Sequence, residues 1–157
     1  MVSQKTIEIV KKTAPVLKEK GTEITIRMYE LMFSDRPEYK LGFETSFMQH
    51  LDGGSQPGQL AASVYAYATH IDKLDELAAA VEHIAHRHTN SRVIAEQYPV
   101  VGKFLLAAMK DVLQDAATPE IMAAWEEAYY ALAEVFINRE QAIYQEDDQK
   151  LREKLEH

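Results

Sequence analysis

The chain has 157 residues, 46% of them hydrophobic, which is enough for one compact domain with a real core and excludes a disordered segment. Its 17 basic residues stand against 25 acidic ones, a formal charge of −8 with no basic cluster, so nucleic acid is not an expected partner. The absence of cysteine excludes disulfides, iron–sulfur clusters and thiolate ligation, and is compatible with a reducing cytoplasm, the expected location. No signal peptide is evident, and charges interrupt every apolar run well before the roughly 18 residues that a membrane span needs.

Every segment reads as helix or turn, which predicts an all-α fold. Ser3 caps a first helix carrying Ile7, Val10, Ala14 and Leu17 inward, with Gly21 as its end. Pro15 falls inside that helix and predicts a kink or a shifted boundary. A second helix runs from about Thr22 to Phe33, with Ile26, Tyr29 and Phe33 on one face. Pro37 opens a turn-like segment leading to Phe43. The stretch from Met48 to Gly58, with Gly53-Gly54-Ser55, reads as the flexible loop, and Pro57 suits the first turn of the helix that follows. That helix carries Leu60, Val64, Tyr67 and Ile71.

Asp72 and Lys73 separate it from a helix with an apolar stripe through Leu74, Leu77, Val81, Ile84 and His88, closed by Thr89-Asn90-Ser91. A longer helix begins near Glu96 and carries Val101, Phe104 or Leu105, Ala108 and Val112. Thr118-Pro119 starts the last helix, whose inward positions run Ile121, Trp125, Ala128 or Tyr129, Leu132, Phe136, Glu140 and Ile143. The tail from Glu146 reads as solvated helix or frayed end, and Leu155-Glu156-His157 reads as a vector-derived remnant leading into a histidine tag.

Three polar residues lie on apolar stripes. His88 is a core histidine or a ligand, and in a chain without cysteine an inward imidazole is a candidate for iron. Glu140 is either wet, where the last helix overhangs the core, or buried and paired, since a carboxylate facing a core is costly alone. An inward histidine is its natural donor, because a ligating imidazole gives its second N–H to a carboxylate or carbonyl. Tyr29 is ordinary core, or a hydroxyl aimed at a bound, partly anionic ligand.

His83 and His86 lie on roughly the opposite side of the helix from His88. They are three apart, and read as a solvated face rather than a surface metal site. His50 and His70 have no motif around them. No zinc-protease, phosphate-loop, nucleophile-elbow or dinucleotide signature is present, so catalysis by side chains alone has no support.

Several strings, at matching order and spacing from Gln4 to about Tyr144, resemble the bacterial haemoglobins, both the single-domain type and the globin domain of flavohaemoglobins. They are Thr13-Ala14-Pro15-Val16-Leu17-Lys18-Glu19, Gln56-Pro57, Ile84-Ala85-His86-Arg87-His88, Gln97-Tyr98-Pro99-Val100-Val101-Gly102 and Asp115-Ala116-Ala117-Thr118. Ala124-Trp125, Ala128-Tyr129 and Glu134-Val135-Phe136-Ile137 complete the set. The resemblance implies a globin fold over 1–147 with a tail at 148–157, and haem b (iron protoporphyrin IX) as cofactor. It implies His88 as the iron ligand, with Tyr98 and Glu140 holding its imidazole. Phe43 then wedges against the porphyrin, Tyr29 hydrogen-bonds bound oxygen, and Gln56 and Leu60 occupy the distal side.

The implied chemistry is reversible oxygen binding at five-coordinate ferrous iron, for transport or buffering. A tyrosine donor to the oxygen is worth about 1.5–3 kcal/mol. The alternative is dioxygenation of nitric oxide to nitrate, served by a reductase absent from the sequence; a haem-less sensory globin is a third class. A homodimer is compatible with the composition, and the sequence names no seam for it.

Overall fold

The computed structural model describes residues 2–39, 56–90 and 95–156, with the side chains of 39, 56, 57, 59 and 87–90 outside that description. The expectations for Phe43, His50 and the loop over 48–55 therefore lie outside the described residues.

Helix α1 spans Gln4–Asp35. Ser3 caps it as the sequence predicts, its Oγ accepting the Thr6 N–H at 3.2 Å. Gly21 does not end it: the two helices predicted on either side of that glycine are one. The buried positions Val10, Ala14, Leu17, Gly21, Ile24, Met28 and Met32 keep a spacing of three or four straight through it. Gly21 serves a crossing, not a cap. A Cβ there would stand 3.2 Å from the Ala61 Cβ, so its absence lets α1 and the next helix approach closely. Pro15 is accommodated on the exposed side of α1, where water can reach the carbonyl that its missing N–H leaves free.

After a 3₁₀ turn at Pro37–Tyr39, α2 spans Gln56–Thr69. The predicted loop reached 58, but residues 56–58 are already helical, with Pro57 in the first turn where its missing donor costs nothing. The predicted stripe through Leu74 also shortens. Leu74–Leu77 is a 3₁₀ turn with Leu74 exposed, and α3 is Ala78–Asn90. Helix α4 spans Gln97–Leu113 and, after a 3₁₀ turn at Gln114–Ala116, α5 spans Pro119–Glu156. Thr118 starts α5 as expected, its Oγ1 accepting the Ile121 N–H at 3.2 Å. Beyond Ile143 the helix leaves the core, and Leu151 and Leu155 face solvent.

Helix α1 packs on α2, α4 and α5, whereas α3 packs on α5. The buried apolar residues fall into two clusters. The larger joins α1, α2, α4 and the first half of α5, with Val10, Met28, Met32, Tyr67, Phe104, Met109 and Trp125 among its members. The smaller joins Ala85 of α3 to Phe136 and Ile143 of α5, with Val81, Ile84, Tyr98 and Leu132 against them. Two directed bonds seat α5 on the larger cluster: the Trp125 Nε1–H donates to Thr13 Oγ1 at 2.9 Å, and the Tyr67 hydroxyl donates to the Ala128 carbonyl at 2.8 Å. Burial pushes the Tyr67 phenol up to about 12, so it remains a donor at neutral pH. Among the described residues there is no strand, and no helix is long and apolar enough to cross a membrane.

Thr13→Val keeps the shape of the threonine but leaves the buried Trp125 N–H without its acceptor. The expected cost is about 1–3 kcal/mol, read as a lowered urea midpoint with an unchanged slope.

Candidate functional site

The polar centre of the smaller cluster is a carboxylate. Glu140 lies on α5 between Phe136 and Ile143, only 4% exposed, so the reading that left it wet is set aside. Both its oxygens accept the Tyr98 hydroxyl, at 2.6 Å to Oε1 and 2.8 Å to Oε2. Tyr98 is in the first turn of α4, 42 residues earlier in the chain. Burial first, and then the bond to Glu140, hold its phenol well above the ordinary value of 10.0. Tyr98 therefore stays protonated and acts as a donor.

The position of Tyr98 is fixed from its backbone as well. The Tyr129 hydroxyl donates to the Tyr98 carbonyl at 2.7 Å, a group that the start of α4 leaves accessible from α5. The Tyr129 ring lies over Gly102, one turn further along α4, where any Cβ would overlap it. Gly102 thus allows α4 and α5 to come together, and the Tyr129 ring occupies the gap. Burial raises the Tyr129 phenol far above its ordinary value too, so this bond persists across the neutral range.

A second connection ties α3 to α5. Arg139, next to Glu140, places Nε and Nη2 on the two oxygens of Glu82, both at 2.6 Å. His86 Nε2 lies 2.9 Å from Glu82 Oε1, and Arg139 Nη1 lies 3.6 Å from Glu146. The guanidinium beside it holds the Glu82 carboxyl at about 2, against an ordinary 4.5. His86 thus has a carboxylate partner one turn back that the sequence reading did not assign to it. Among the described residues no group of three or more His, Cys, Asp or Glu side chains could hold a metal ion.

The remaining candidates divide between the clusters. Tyr29 is buried on α1 in the larger cluster, its ring tilted 32° against Phe33 at 5.6 Å between centroids. Leu60 is partly buried against the same cluster. Gln56 and His88 have described backbones, at the start of α2 and near the end of α3. By helical register position 88 continues the Val81, Ile84 and Ala85 face, the one that packs on α5. A carboxylate buried in an apolar cluster, steadied by a tyrosine, is an acceptor of the kind that a metal-ligating imidazole uses for its second N–H. The donor set therefore fits a haem held through a histidine on that face. Tyr129, Gly102 and the Glu82–Arg139 bridge were not assigned roles from the sequence. An interior glycine in α4 was the one visible signal, since glycine mid-helix needs a packing reason.

Gly102→Ala drives a methyl into the Tyr129 ring. It is expected to cost about 1–3 kcal/mol of stability, as other over-packing changes do. It should also weaken the Tyr98–Glu140 bond, which ultraviolet Raman bands of the tyrosines would register as a shift absent from Val101→Ala.

A family model described as globin matches residues 26–136. The flavohemoprotein of Oceanobacillus iheyensis is 45% identical over 146 residues, covering 93% of this chain and 35% of that protein. Among solved structures, a bacterial globin from Campylobacter jejuni is 34% identical with a TM-score of 0.83, covering 91% of this chain and 99% of that one. An engineered carbene transferase whose Rhodothermus marinus parent bears a provisional nitric oxide dioxygenase name is 32% identical with a TM-score of 0.84. It covers 92% of this chain and 97% of its own. The chain spans about a third of the length of the curated relatives it matches (35% for the first). Its helices and these likenesses agree: the chain belongs to the globin family, as a globin domain of the flavohaemoglobin type.

Proposed function

We propose that this globin domain binds oxygen reversibly at a haem iron ligated by His88. Haem is the cofactor of this family member, and it supplies an iron able to take up a diatomic gas. The observation that carries the reading is the buried Glu140 carboxylate, held by both oxygens to Tyr98 and seated where α5 meets the face of α3 that includes position 88. In this reading Glu140 accepts the second N–H of His88 and fixes the ring's orientation and tautomer. Tyr98 keeps the carboxylate from rotating away, and Tyr129 keeps Tyr98 in place. Tyr29 donates a hydrogen bond to the gas ligand. Phe43 packs on the porphyrin, and Gln56 and Leu60 line the side where the gas enters. Residues 1–147 form the globin domain, and 148–157 are a tail.

Nitric oxide dioxygenation is the second reading, and one feature favours it. A full carboxylate on the imidazole N–H gives the ring more anionic character than a neutral carbonyl would, which pushes electron density toward the ligand and suits activating oxygen. The provisional name of the Rhodothermus marinus parent agrees with it. This reading adds a partner, a flavin reductase that returns the iron to the ferrous state. The Oceanobacillus iheyensis relative, of which this chain spans 35%, is named a flavohemoprotein.

The test is an absorption spectrum of the purified protein as isolated, reduced and then aerated, followed by nitric oxide under a reductant. A haem band that moves to a stable oxygenated form supports the oxygen-binding reading. Sustained nitrate production with a reductase supports the second, and no haem band after reconstitution would sink both. His88→Ala should abolish stable haem incorporation while the far-ultraviolet helix signal persists. Retention of full haem would remove His88 as the ligand. Tyr29→Phe should speed oxygen dissociation about 10- to 100-fold, the equivalent of losing a hydrogen bond to a charge-bearing ligand. Stopped-flow displacement of oxygen measures this directly.

A further inference from the structure

We propose that the Glu82–Arg139 bridge is a positioning pair for the haem-ligating imidazole, setting where α3 lies along α5; this rests on the assignment of His88 as ligand. An ordinary exposed ion pair would contribute little, because two long side chains must be ordered in water for a screened attraction. This one differs in geometry. Two parallel N–H···O bonds of 2.6 Å join a planar guanidinium to a planar carboxylate, an arrangement that fixes direction as well as distance. Both partners are also held from their flanks, Glu82 by His86 and Arg139 by Glu146.

Its place in the chain makes it consequential. Arg139 is adjacent to Glu140, so the residue that anchors α3 and the residue that receives the imidazole N–H share one stretch of α5 backbone. Glu82 stands six residues before His88 on a single helix, about 9 Å along its axis. Among the described residues, α3 and α5 also share the small cluster of Ala85, Phe136 and Ile143, with Val81 and Ile84 against it. Apolar contacts of that kind are non-directional and tolerate sliding or rotation of one helix over another. The bidentate fork does not. It sets the axial and rotational register of α3 and, through the helix, the distance between the His88 ring and Glu140.

The test uses the full, haem-loaded chain and three variants, Arg139→Gln, Arg139→Lys and Glu82→Gln. The readouts are the iron–imidazole stretching band of the ferrous, ligand-free protein in resonance Raman and the rate of haem transfer to excess apomyoglobin. Urea unfolding of the haem-free form runs alongside. Arg139→Gln is expected to shift and broaden the band and to speed haem loss about 10-fold, the scale on which groups behind a metal ligand act. Arg139→Lys keeps the charge but loses the fork, so it should restore most of the urea midpoint without restoring the band. Glu82→Gln, the mildest change, keeps a carbonyl acceptor and should move the band in the same direction by less. An unshifted band in the haem-loaded variants, whatever their stability, would overturn the positioning role and leave the ligand assignment intact. A missing iron–imidazole band in the unsubstituted, haem-loaded protein would overturn the ligand assignment and this inference with it.

Discussion

The structure turns on the close crossing of α4 and α5 at Gly102. Without a Cβ at that position the Tyr129 ring can lie against α4, and from there its hydroxyl reaches the Tyr98 carbonyl. That places the Tyr98 side chain over Glu140, which is what allows a carboxylate to stay buried at 4% exposure. An isolated carboxylate in such a cluster would be destabilising, roughly by several kcal/mol. The order of dependence runs from a missing methyl to a ring, from the ring to a hydroxyl, and from the hydroxyl to a charge.

The two apolar clusters divide the work. The larger, between α1, α2, α4 and the first half of α5, is dense with methionine, isoleucine and small residues at the helix crossings, and Tyr29 is embedded in it. Among the described residues the smaller has three buried apolar members, and polar bonds cross it between α3, α4 and α5. Hydrophobic burial provides bulk stabilisation without direction, whereas hydrogen bonds to charged groups provide direction with less net energy. The proposed role of this site, holding an imidazole in one orientation, calls for the second kind, and Tyr98, Tyr129 and Arg139 supply such bonds there.

The stripes of α4, α5 and the first half of α1 were legible in the sequence because amphipathic helices declare their buried face at intervals of three and four. Of the face expected through Ile26, Tyr29 and Phe33 only Tyr29 is buried, and the buried line runs through Ile24, Met28 and Met32. Ser3 and Thr118 were legible as caps because their chemistry is local. Gly21 misled for a definite reason: glycine ends helices by its freedom at positive φ, but it also lets helices touch, and only the presence of Ala61 across the crossing separates the two uses. Leu74 misled because it continues a helical period into a segment that is a 3₁₀ turn, whose tighter winding takes it off the buried face. Glu140 stood out as a charge on an apolar stripe, which left it either wet or buried, and only the structure decides for burial. Its partner Tyr98 came from family likeness, since no local pattern joins residues 42 apart. The Glu82–Arg139 bridge was invisible for the same reason. Both residues look like solvated surface until two helices are laid side by side.

Helix α5 unites these elements as a straight-edge running past both clusters. Glu127 accepts the Ser3 N–H at 2.8 Å and the Thr6 hydroxyl at 2.6 Å, fixing α5 to the start of α1. Trp125 bonds to Thr13 and Ala128 to Tyr67, so α1 and α2 are referenced to the same turns. Three turns on, Arg139 and Glu140 reference α3 and α4. From Glu127 to Arg139 is 12 residues, about 18 Å of one rigid helix. Tyr29 belongs to the part of the fold registered on the first set of bonds, and position 88 to the part registered on the second. The separation between Tyr29 and position 88 is therefore governed by α5, although neither residue lies on it. A change that bends α5 between Tyr129 and Phe136 would alter that separation and would strain Tyr98, which is bonded to Tyr129 and to Glu140 on either side of the bend.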